Sequence, residues 1–140
     1  MKTHVFDEIL DGVRVGSLAT VQQDGRPWNT PLHLAFDEEN VYWLSSPETV
    51  HSKNIAERPQ ISIVIWSPDK SSGLKGIYIQ STAQALAGEA AEAGRAVYAE
   101  VFGGITPHLA AATVYKAKIG DKNTAASRGK LWYFDGDNTL

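Results

Sequence analysis

Residues 41–66, VYWLSSPETVHSKNIAERPQISIVIW, decide the fold, because they combine a strand, a short helix and a second strand in direct succession. The first four residues are β-branched, aromatic and aliphatic, which is typical of a half-buried strand. A proline at the first helical position and a serine before it predict a helix from Pro47 to about Glu57, with Ser46 as its N-cap. Arg58-Pro59 ends this helix, because the residue before a proline avoids helical backbone angles. The run 61–65, ISIVI, then predicts the second strand.

Polar side chains crowd the junction between the first strand and the helix. Ser45 and Ser46 stand at the helix start, and His51, Ser52, Lys53 and Asn54 follow within the next turns. Hydroxyl groups, free backbone N–H groups and a cationic side chain at a helix start form an anion site, most naturally for a phosphate. The alternative is that the serines only cap the helix while His51 and Lys53 face solvent.

The segment before this unit reads as a β-hairpin. Residues 14–22 alternate as a strand, and Asp24-Gly25 is a strong signal for a tight turn into a second strand over 28–36. Pro31 lies inside that second strand and cannot donate a hydrogen bond to a neighbour. The strand is therefore expected at a sheet edge, which leaves backbone groups free for a ligand or simply marks the end of the sheet.

The rest of the chain predicts a mainly β protein with flanking helices. Apolar spacing predicts helices over 3–12 and 88–102, and alternation predicts strands over 76–86 and 112–119 and a last strand over 130–134. The segments 67–75 and 121–129 read as polar loops. A small antiparallel six-stranded β-barrel within one domain, residues 1–140, accounts for these elements most economically.

Composition limits the classes of function. The chain has 140 residues, 43% hydrophobic residues and a net charge of −3, as expected for a single globular domain that does not bind nucleic acid. The absence of cysteine excludes disulfides and thiolate chemistry. No segment is apolar enough for a membrane helix or a signal peptide, so we expect no membrane partner and a cytoplasmic location.

Motifs of other enzyme classes are missing. The four histidines are scattered without metal-ligand spacing, so no metal site is expected. The sequence has no phosphate-binding loop, no dinucleotide-binding glycine motif and no nucleophile elbow. Ser45 and His51 are the only candidate nucleophile and base, and we expect them at opposite ends of a helix turn without an orienting carboxylate.

The order of these motifs resembles a known family. The pattern S-S-P-x-T-x-H-S-K-N-I-x-x-x-P-x-I-S over 45–62, preceded by LATVQQDGRPWNTPLHLAFD over 18–37, is similar to the FMN-binding split-barrel proteins related to pyridoxamine 5′-phosphate oxidase. The likeness covers roughly residues 13–86. It implies a split β-barrel in which Ser45 and a basic residue at the position of His51 bind the flavin phosphate, with Lys53 as a second basic candidate.

The resemblance also implies where the flavin ring lies. In the family the backbone around Asn29 to Leu32 hydrogen-bonds the polar edge of the ring, and the flavin lies in a groove between the two subunits of a homodimer. Trp132 or Trp66 is then a candidate stacking wall, with core packing as the alternative. The cofactor-binding residues expected on these grounds are Asn29, Thr30, Pro31, Leu32, Ser45, Ser46, His51, Ser52, Lys53 and Trp132.

The chain departs from true pyridoxamine-phosphate oxidases in two respects. It lacks the basic residues that those enzymes carry on the second strand, and its C-terminal tail has no arginine for a substrate phosphate. The family likeness therefore implies an FMN-dependent oxidoreductase that acts on another small molecule or electron acceptor. The alternatives are a non-catalytic flavin- or haem-binding protein and a deazaflavin in place of FMN.

Overall fold

A computed structural model describes residues 9–10, 12–67, 75–120, 126–128 and 131–137. Within these ranges nine strands and two α-helices are present. A short 3₁₀ turn covers Pro107–Leu109. The strands are β1 (Val15–Val21), β2 (Pro27–His33), β3 (Ala35–Phe36), β4 (Asn40–Ser45), β5 (Gln60–Ser67), β6 (Lys75–Ala85), β7 (Thr113–Lys118), β8 (Ala126–Arg128) and β9 (Leu131–Asp135), and the helices are α1 (Val50–Glu57) and α2 (Gly88–Phe102).

The strands form one curled, mostly antiparallel sheet in the order β2-β1-β5-β6-β7-β4-β3. The long strand β6 forks: its first half pairs in parallel with β9, and its second half pairs with β7. The two edge strands, β2 and β3, are separated along the chain by Leu34 alone. Leu34 is fully buried and its N–H donates to the carbonyl of Arg14 at 2.7 Å. One continuous stretch of chain therefore supplies both edges and closes the split barrel.

The barrel core is built by period-two alternation. Every second residue of β1, of β5 and of β6 from Ile77 to Ala83 is buried, while the residues between them point outward. The main core cluster includes Leu18, Trp43, Ile63, Ile79 and Phe134. This alternation produces one apolar interior and one outer face on the sheet of β2, β1, β5, β6 and β9.

Helix α2 covers the opposite half of the barrel. It packs over β3, β4 and β7 in a second cluster that contains Tyr42, Leu44, Tyr98 and Val114. A Cβ atom added at Gly94 would lie 2.8 Å from Cγ1 of Val114, so glycine at this position allows the close contact between helix and sheet. Gly103 ends the helix with a φ of 72°, in the left-handed region.

Helix α1 sits on the barrel at the end of β1. The Nδ2 atom of Asn54 donates to Oγ1 of Thr20 at 2.9 Å, and both residues are buried. The Nε of Arg58, at the C-terminal end of the helix, donates to the carbonyl of Val21 at 2.9 Å. These two contacts fix the position of α1 relative to β1.

The mainly β split-barrel architecture predicted from the sequence is confirmed, but its strand count is not six. The predicted strand over 28–36 is divided at Leu34 into β2 and β3, because the chain crosses there from one end of the strand order to the other. The predicted loop over 121–129 contains β8, which pairs with β9. The placement of Pro31 on an edge strand is confirmed, since β2 pairs only with β1.

Two sequence predictions fall largely on residues outside the described ranges. Of the predicted helix over 3–12, only Ile9 and Leu10 are described as helical. Of the predicted loop over 67–75, residues 68–74 lie outside the described part. Among the helices that the structure describes, none is long and apolar enough to span a membrane.

The Thr20–Asn54 contact yields a stability prediction. Thr20→Val removes the hydroxyl but keeps the shape of the side chain, so the buried amide of Asn54 loses its acceptor. We expect a loss of about 1–3 kcal/mol in the free energy of unfolding, measured by urea denaturation. The double variant Thr20→Val/Asn54→Leu should lose less free energy of unfolding than the two single variants lose together.

The matched control is Thr82→Val, because this exposed β6 residue bonds only to the exposed Asp137. We expect it to stay within about 0.5 kcal/mol of the parent. Equal losses for the two threonine variants would show that the buried contact does not anchor α1.

Candidate functional site

Four side chains at the junction of β4 and α1 form a hydroxyl–imidazole cluster: Ser45, Thr49, His51 and Ser52. The Oγ of Ser45 lies 2.9 Å from Nε2 of His51, and the Oγ1 of Thr49 lies 3.3 Å from the same nitrogen. Thr49 also contacts the Oγ of Ser52 at 2.7 Å. Ser45 and His51 are only 6% and 7% exposed, so the cluster is a buried polar site.

The local sequence places this cluster through an N-cap that differs from the predicted one. Thr49 has extended backbone angles, and its Oγ1 accepts the N–H of Ser52 at 3.2 Å, so the helix begins at Val50. Ser46 instead accepts the N–H of Glu48 at 3.1 Å in a preceding turn. The predictions that the helix begins at Pro47 and that Ser46 caps it were therefore wrong. Pro47 fits the turn as well as a helix, because its fixed φ suits both.

The structure brings Ser45 and His51 together, contrary to the expectation that they occupy opposite ends of a helix turn. The turn over 46–49 folds the helix start back onto the end of β4, which gives the 2.9 Å contact. The alternative in which His51 faces solvent is also wrong, because its side chain is buried. Within the described residues, no carboxylate contacts the imidazole, so a catalytic triad lacks its third member.

Burial sets the electrostatics of the cluster. It lowers the pKa of His51 from its ordinary value, because desolvation disfavours the imidazolium form. The ring is therefore neutral at pH 7. The N–H groups of Val50 and His51 lie in the first turn of α1, where backbone donors have no partner within the helix. The cluster thus offers hydroxyl and backbone donors and one titratable ring to an anion.

Lys53 points away from the cluster toward solvent. Its Nζ lies 3.6 Å from Oε1 of Glu48, and the two side chains are 64% and 80% exposed. Such a pair contributes little to stability, because water and salt screen it. Ser46 is exposed as well. Of the predicted phosphate-binding residues, Ser45, His51 and Ser52 are therefore brought together, and Ser46 and Lys53 lie at the rim.

The predicted ring-binding strand is the edge strand β2, and α1 contacts it beside its larger contact with β1. Asn29 and Pro31 face outward with their register partners Ala19 and Ser17, and both are exposed. Thr30 and Leu32 face inward and are half-buried. The strand therefore presents one free backbone edge, with one polar and one apolar side chain of this segment on each side.

The two tryptophans considered as stacking walls have different surroundings. Trp132 is half-buried and packs against the main core of its own chain. Trp66 is 45% exposed on the outer face of the sheet. The same face carries Tyr78 and Tyr133, which are stacked with ring centroids 4.9 Å apart and are 39% and 40% exposed. We call the surface formed by Val15, Val64, Trp66, Tyr78 and Tyr133 the outer aromatic face.

Sequence reasoning missed Thr49 and the tyrosine pair. A signal for Thr49 was available, because a hydroxyl residue three positions before Ser52 has the spacing of an N-cap and its N3 partner. The alternation in Gly76 to Gln80 also separates Tyr78 from the buried isoleucines on either side. No short-range signal pairs Tyr78 with Tyr133, since that contact arises from the parallel β6–β9 pairing.

Comparison with protein families gives a match over most of the chain. Residues 3–126 match the family described as pyridoxamine 5′-phosphate oxidase. No protein of curated function matches the chain in sequence.

Solved structures share the fold at low sequence identity. The heme storage protein HutZ from Vibrio cholerae has a TM-score of 0.70 and 21% identity, over 83% of this chain and 88% of that one. A heme binding protein from Mycobacterium smegmatis has a TM-score of 0.67 and 21% identity, over 76% of this chain and only 46% of that one. An F420 reductase has a TM-score of 0.62 and 17% identity, over 80% of this chain and 90% of that one.

The observed N-cap generates a prediction that separates Thr49 from Ser46. Thr49→Ala removes the acceptor for the N–H of Ser52, and we expect it to lower the free energy of unfolding by about 0.5–2 kcal/mol. Ser46→Ala is the matched control, because its exposed hydroxyl lies in the preceding turn, and we expect a change within about 0.5 kcal/mol. Chemical denaturation of both variants measures the difference, and a larger loss for Ser46→Ala would contradict the assignment.

Proposed function

Because the chain belongs to the pyridoxamine 5′-phosphate oxidase family, we propose that it binds FMN and acts as an FMN-dependent oxidoreductase on a small molecule or electron acceptor. The observation that carries this proposal is the buried hydroxyl–imidazole cluster at the start of α1, next to an edge strand with free backbone groups. A phosphate needs several convergent donors, and an extended ring needs an accessible edge. Both features occur around α1.

The cluster is suited to the phosphate end of the cofactor. The hydroxyls of Ser45, Thr49 and Ser52 are within hydrogen-bond distance of one another or of His51, so one anion can contact several of them. The first-turn N–H groups of α1 add donors, and the helix dipole favours negative charge there. Lys53 lies close enough in sequence to contribute a screened charge at the rim.

The flavin ring is proposed to lie along β2, with the backbone of Asn29 to Leu32 hydrogen-bonding to its polar edge. Pro31 has no N–H, so at that position the strand offers a ligand only a carbonyl acceptor. FMN supplies the electron transfer when bound, and the chain binds it, orients it and controls access. This division of roles between cofactor and protein is consistent with the site, where no carboxylate contacts His51 in the described part of the chain.

We also propose that the functional unit is a homodimer that uses the outer aromatic face. Val15, Trp66, Tyr78 and Tyr133 are between 39% and 45% exposed, which is unusual for large apolar side chains on one face. None of them carries a formal charge, so two copies of the face can meet without unpaired ions. Asn29 and Pro31 of β2 lie on the same side of the sheet, so the proposed ring site borders this interface.

The second candidate function is binding of haem or a deazaflavin by the same barrel. Two of the similar folds belong to haem proteins and one to an F420 reductase, which supports keeping these ligands as alternatives. Haem iron needs an axial ligand, and Nε2 of His51 is occupied by hydroxyl contacts. The exposed His33 and His108 are the accessible histidines for that role in the described part of the chain.

Ligand titration distinguishes these functions. We expect the purified protein to carry FMN or to bind it below tens of micromolar, as seen by flavin absorbance and by quenching of flavin fluorescence. Parallel titrations use deazaflavin and haem. A Soret band together with no response to FMN would replace the leading proposal by the haem alternative.

Loss of the phosphate contacts should affect FMN but not riboflavin, which lacks the phosphate. We expect His51→Ala to weaken FMN binding roughly ten- to a hundredfold, as for one lost charge-assisted contact of about 1.5–3 kcal/mol. Lys53→Ala should have a smaller effect, because its ammonium is exposed and screened. Equal effects of His51→Ala on FMN and riboflavin would place the phosphate elsewhere. Circular dichroism of each variant checks that it folds.

The interface proposal is tested by the oligomeric state. Trp66→Glu introduces a charge at the centre of the outer aromatic face, and we expect it to convert a dimer into a monomer in light scattering at micromolar concentration. Ala93→Glu on the exposed side of α2 introduces the same charge as a control and should leave the dimer intact. A monomeric parent protein, or a Trp66→Glu variant that stays dimeric, would contradict the proposed interface.

A further inference from the structure

The cluster at α1 has no fixed positive charge in hydrogen-bond contact with it among the described residues. Its four side chains are three hydroxyls and one buried imidazole. The nearest lysine in sequence, Lys53, is turned to solvent and paired with Glu48. Arg58 is occupied with the carbonyl of Val21. A phosphate ester with a charge near −2 therefore meets a site that is neutral before it arrives.

The hydrogen bonds within the cluster compete for the few available hydroxyl hydrogens. Each hydroxyl has one hydrogen, yet Oγ1 of Thr49 lies 3.0 Å from the carbonyl of Ser46, 2.7 Å from Oγ of Ser52 and 3.3 Å from Nε2 of His51. Ser45 meets the same imidazole nitrogen at 2.9 Å. If Nε2 of the neutral ring accepts a hydrogen bond, the hydroxyl of Ser45 or Thr49 donates it. A hydroxyl that donates to the ring is then not available to an anion.

Protonation of the ring changes this arrangement. In the imidazolium form Nε2 carries a hydrogen and can only donate, so the oxygens of Ser45 and Thr49 become its acceptors. The hydroxyl hydrogen that the neutral ring had accepted is then free to donate to a third group, while the Oγ1 of Thr49 stays within 3.0 Å of the carbonyl of Ser46. One proton on His51 thus supplies a positive charge and also releases one hydroxyl donor beside the ring.

We propose that Thr49 is a further phosphate-binding residue and that His51 takes up a proton when the phosphate ester binds, so that the site selects ligands bearing a phosphate dianion. This inference rests on the proposed function, because it concerns the same ligand. Burial holds the pKa of His51 below its ordinary value in the empty protein, and a dianion in contact with the ring raises it. Binding and proton uptake are therefore linked.

Few other titratable groups surround α1 in the described chain. The helix and its preceding turn carry Glu48, Lys53 and Glu57. The strands in contact with α1 include β1, which has no titratable side chain, β2, which has His33 at its far end, β4, which has Tyr42, and β6, which has Lys75 and Tyr78. The second imidazole among these elements, His33, is exposed on the outer side of the sheet.

The sign of the pH dependence follows from the two pKa values of His51. Between the lowered value of the empty protein and the raised value of the complex, each unit of falling pH should tighten FMN binding up to tenfold. Riboflavin binding should not change. Titrations above about pH 7 keep the flavin phosphate in its dianionic form, whose last pKa is about 6. Calorimetry in two buffers of different ionisation enthalpy measures the number of protons taken up per FMN bound. We expect this number to approach one and not to exceed it.

Two variants separate the roles of the cluster residues. His51→Gln keeps a hydrogen-bonding amide but cannot take up a proton, so both the proton uptake and the pH dependence of FMN binding should disappear. Thr49→Val should weaken FMN binding roughly tenfold while leaving riboflavin unaffected, and Thr49→Ser should restore it because the hydroxyl returns. Circular dichroism confirms that each variant is folded, and Thr49→Ser keeps the N-cap in any case.

The outcomes distinguish this inference from the function on which it rests. Tight FMN binding without proton uptake, or with the same pH dependence in His51→Gln, overturns the inference and leaves the proposed function intact. A Thr49→Val variant that binds FMN as the parent does removes Thr49 from the site. Absence of FMN binding at every pH between about 6.5 and 8.5 overturns both proposals.

Discussion

The contact between α1 and the end of β1 is the constraint on which the site depends. Asn54 and Thr20 are both buried, so separating them would leave an amide and a hydroxyl without partners in a region of low dielectric. This penalty fixes α1 on the barrel. The turn over 46–49 then has to bring His51 within 2.9 Å of Ser45. The buried Thr20–Asn54 pair, which belongs to the core structure, thus positions the buried Ser45–His51 pair, which is suited to ligand binding.

Burial explains why this second group of polar side chains is suited to anion binding. An exposed cluster of hydroxyls would compete with water for every hydrogen bond. In the cluster at α1, desolvation keeps His51 neutral and makes each interaction with an anion stronger than it would be in solvent. Lys53, one turn away and exposed, lacks this advantage. Burial is therefore a better guide than charge to which of His51 and Lys53 is suited to bind the phosphate.

The sequence was sufficient to predict the elements that depend on local patterns. The alternation in β5 and β6, the edge position of Pro31 and the bounds of α2 were all predicted correctly, because each follows from nearby residues. The division of the second strand at Leu34 was not predicted, since this residue is apolar in either arrangement. The chain crosses between the two ends of the strand order there only because the barrel closes. The strand β8 was not predicted for a similar reason, because its partner β9 lies outside the polar segment that contains β8.

The sequence indicated most residues of the hydroxyl–imidazole cluster but not their geometry. The residue types at Ser45, His51 and Ser52 indicated an anion site, yet the helix start was placed three residues too early because Ser46-Pro47 is as good a helix signal as Thr49. That shift decides which hydroxyl caps the helix and which way His51 points. The burial of His51 depends on the turn and on contacts with β1 and β4, which no local pattern encodes.

The most direct test of the account is the NMR spectrum of the His51 ring in protein labelled with ¹⁵N-histidine, recorded during addition of FMN and, separately, riboflavin. Assignment by His51→Gln identifies the resonance. We expect both ring nitrogens to shift to imidazolium values at one equivalent of FMN and to stay at neutral values with riboflavin. A His51 resonance that saturating FMN leaves unchanged would contradict the assignment of the phosphate to this cluster.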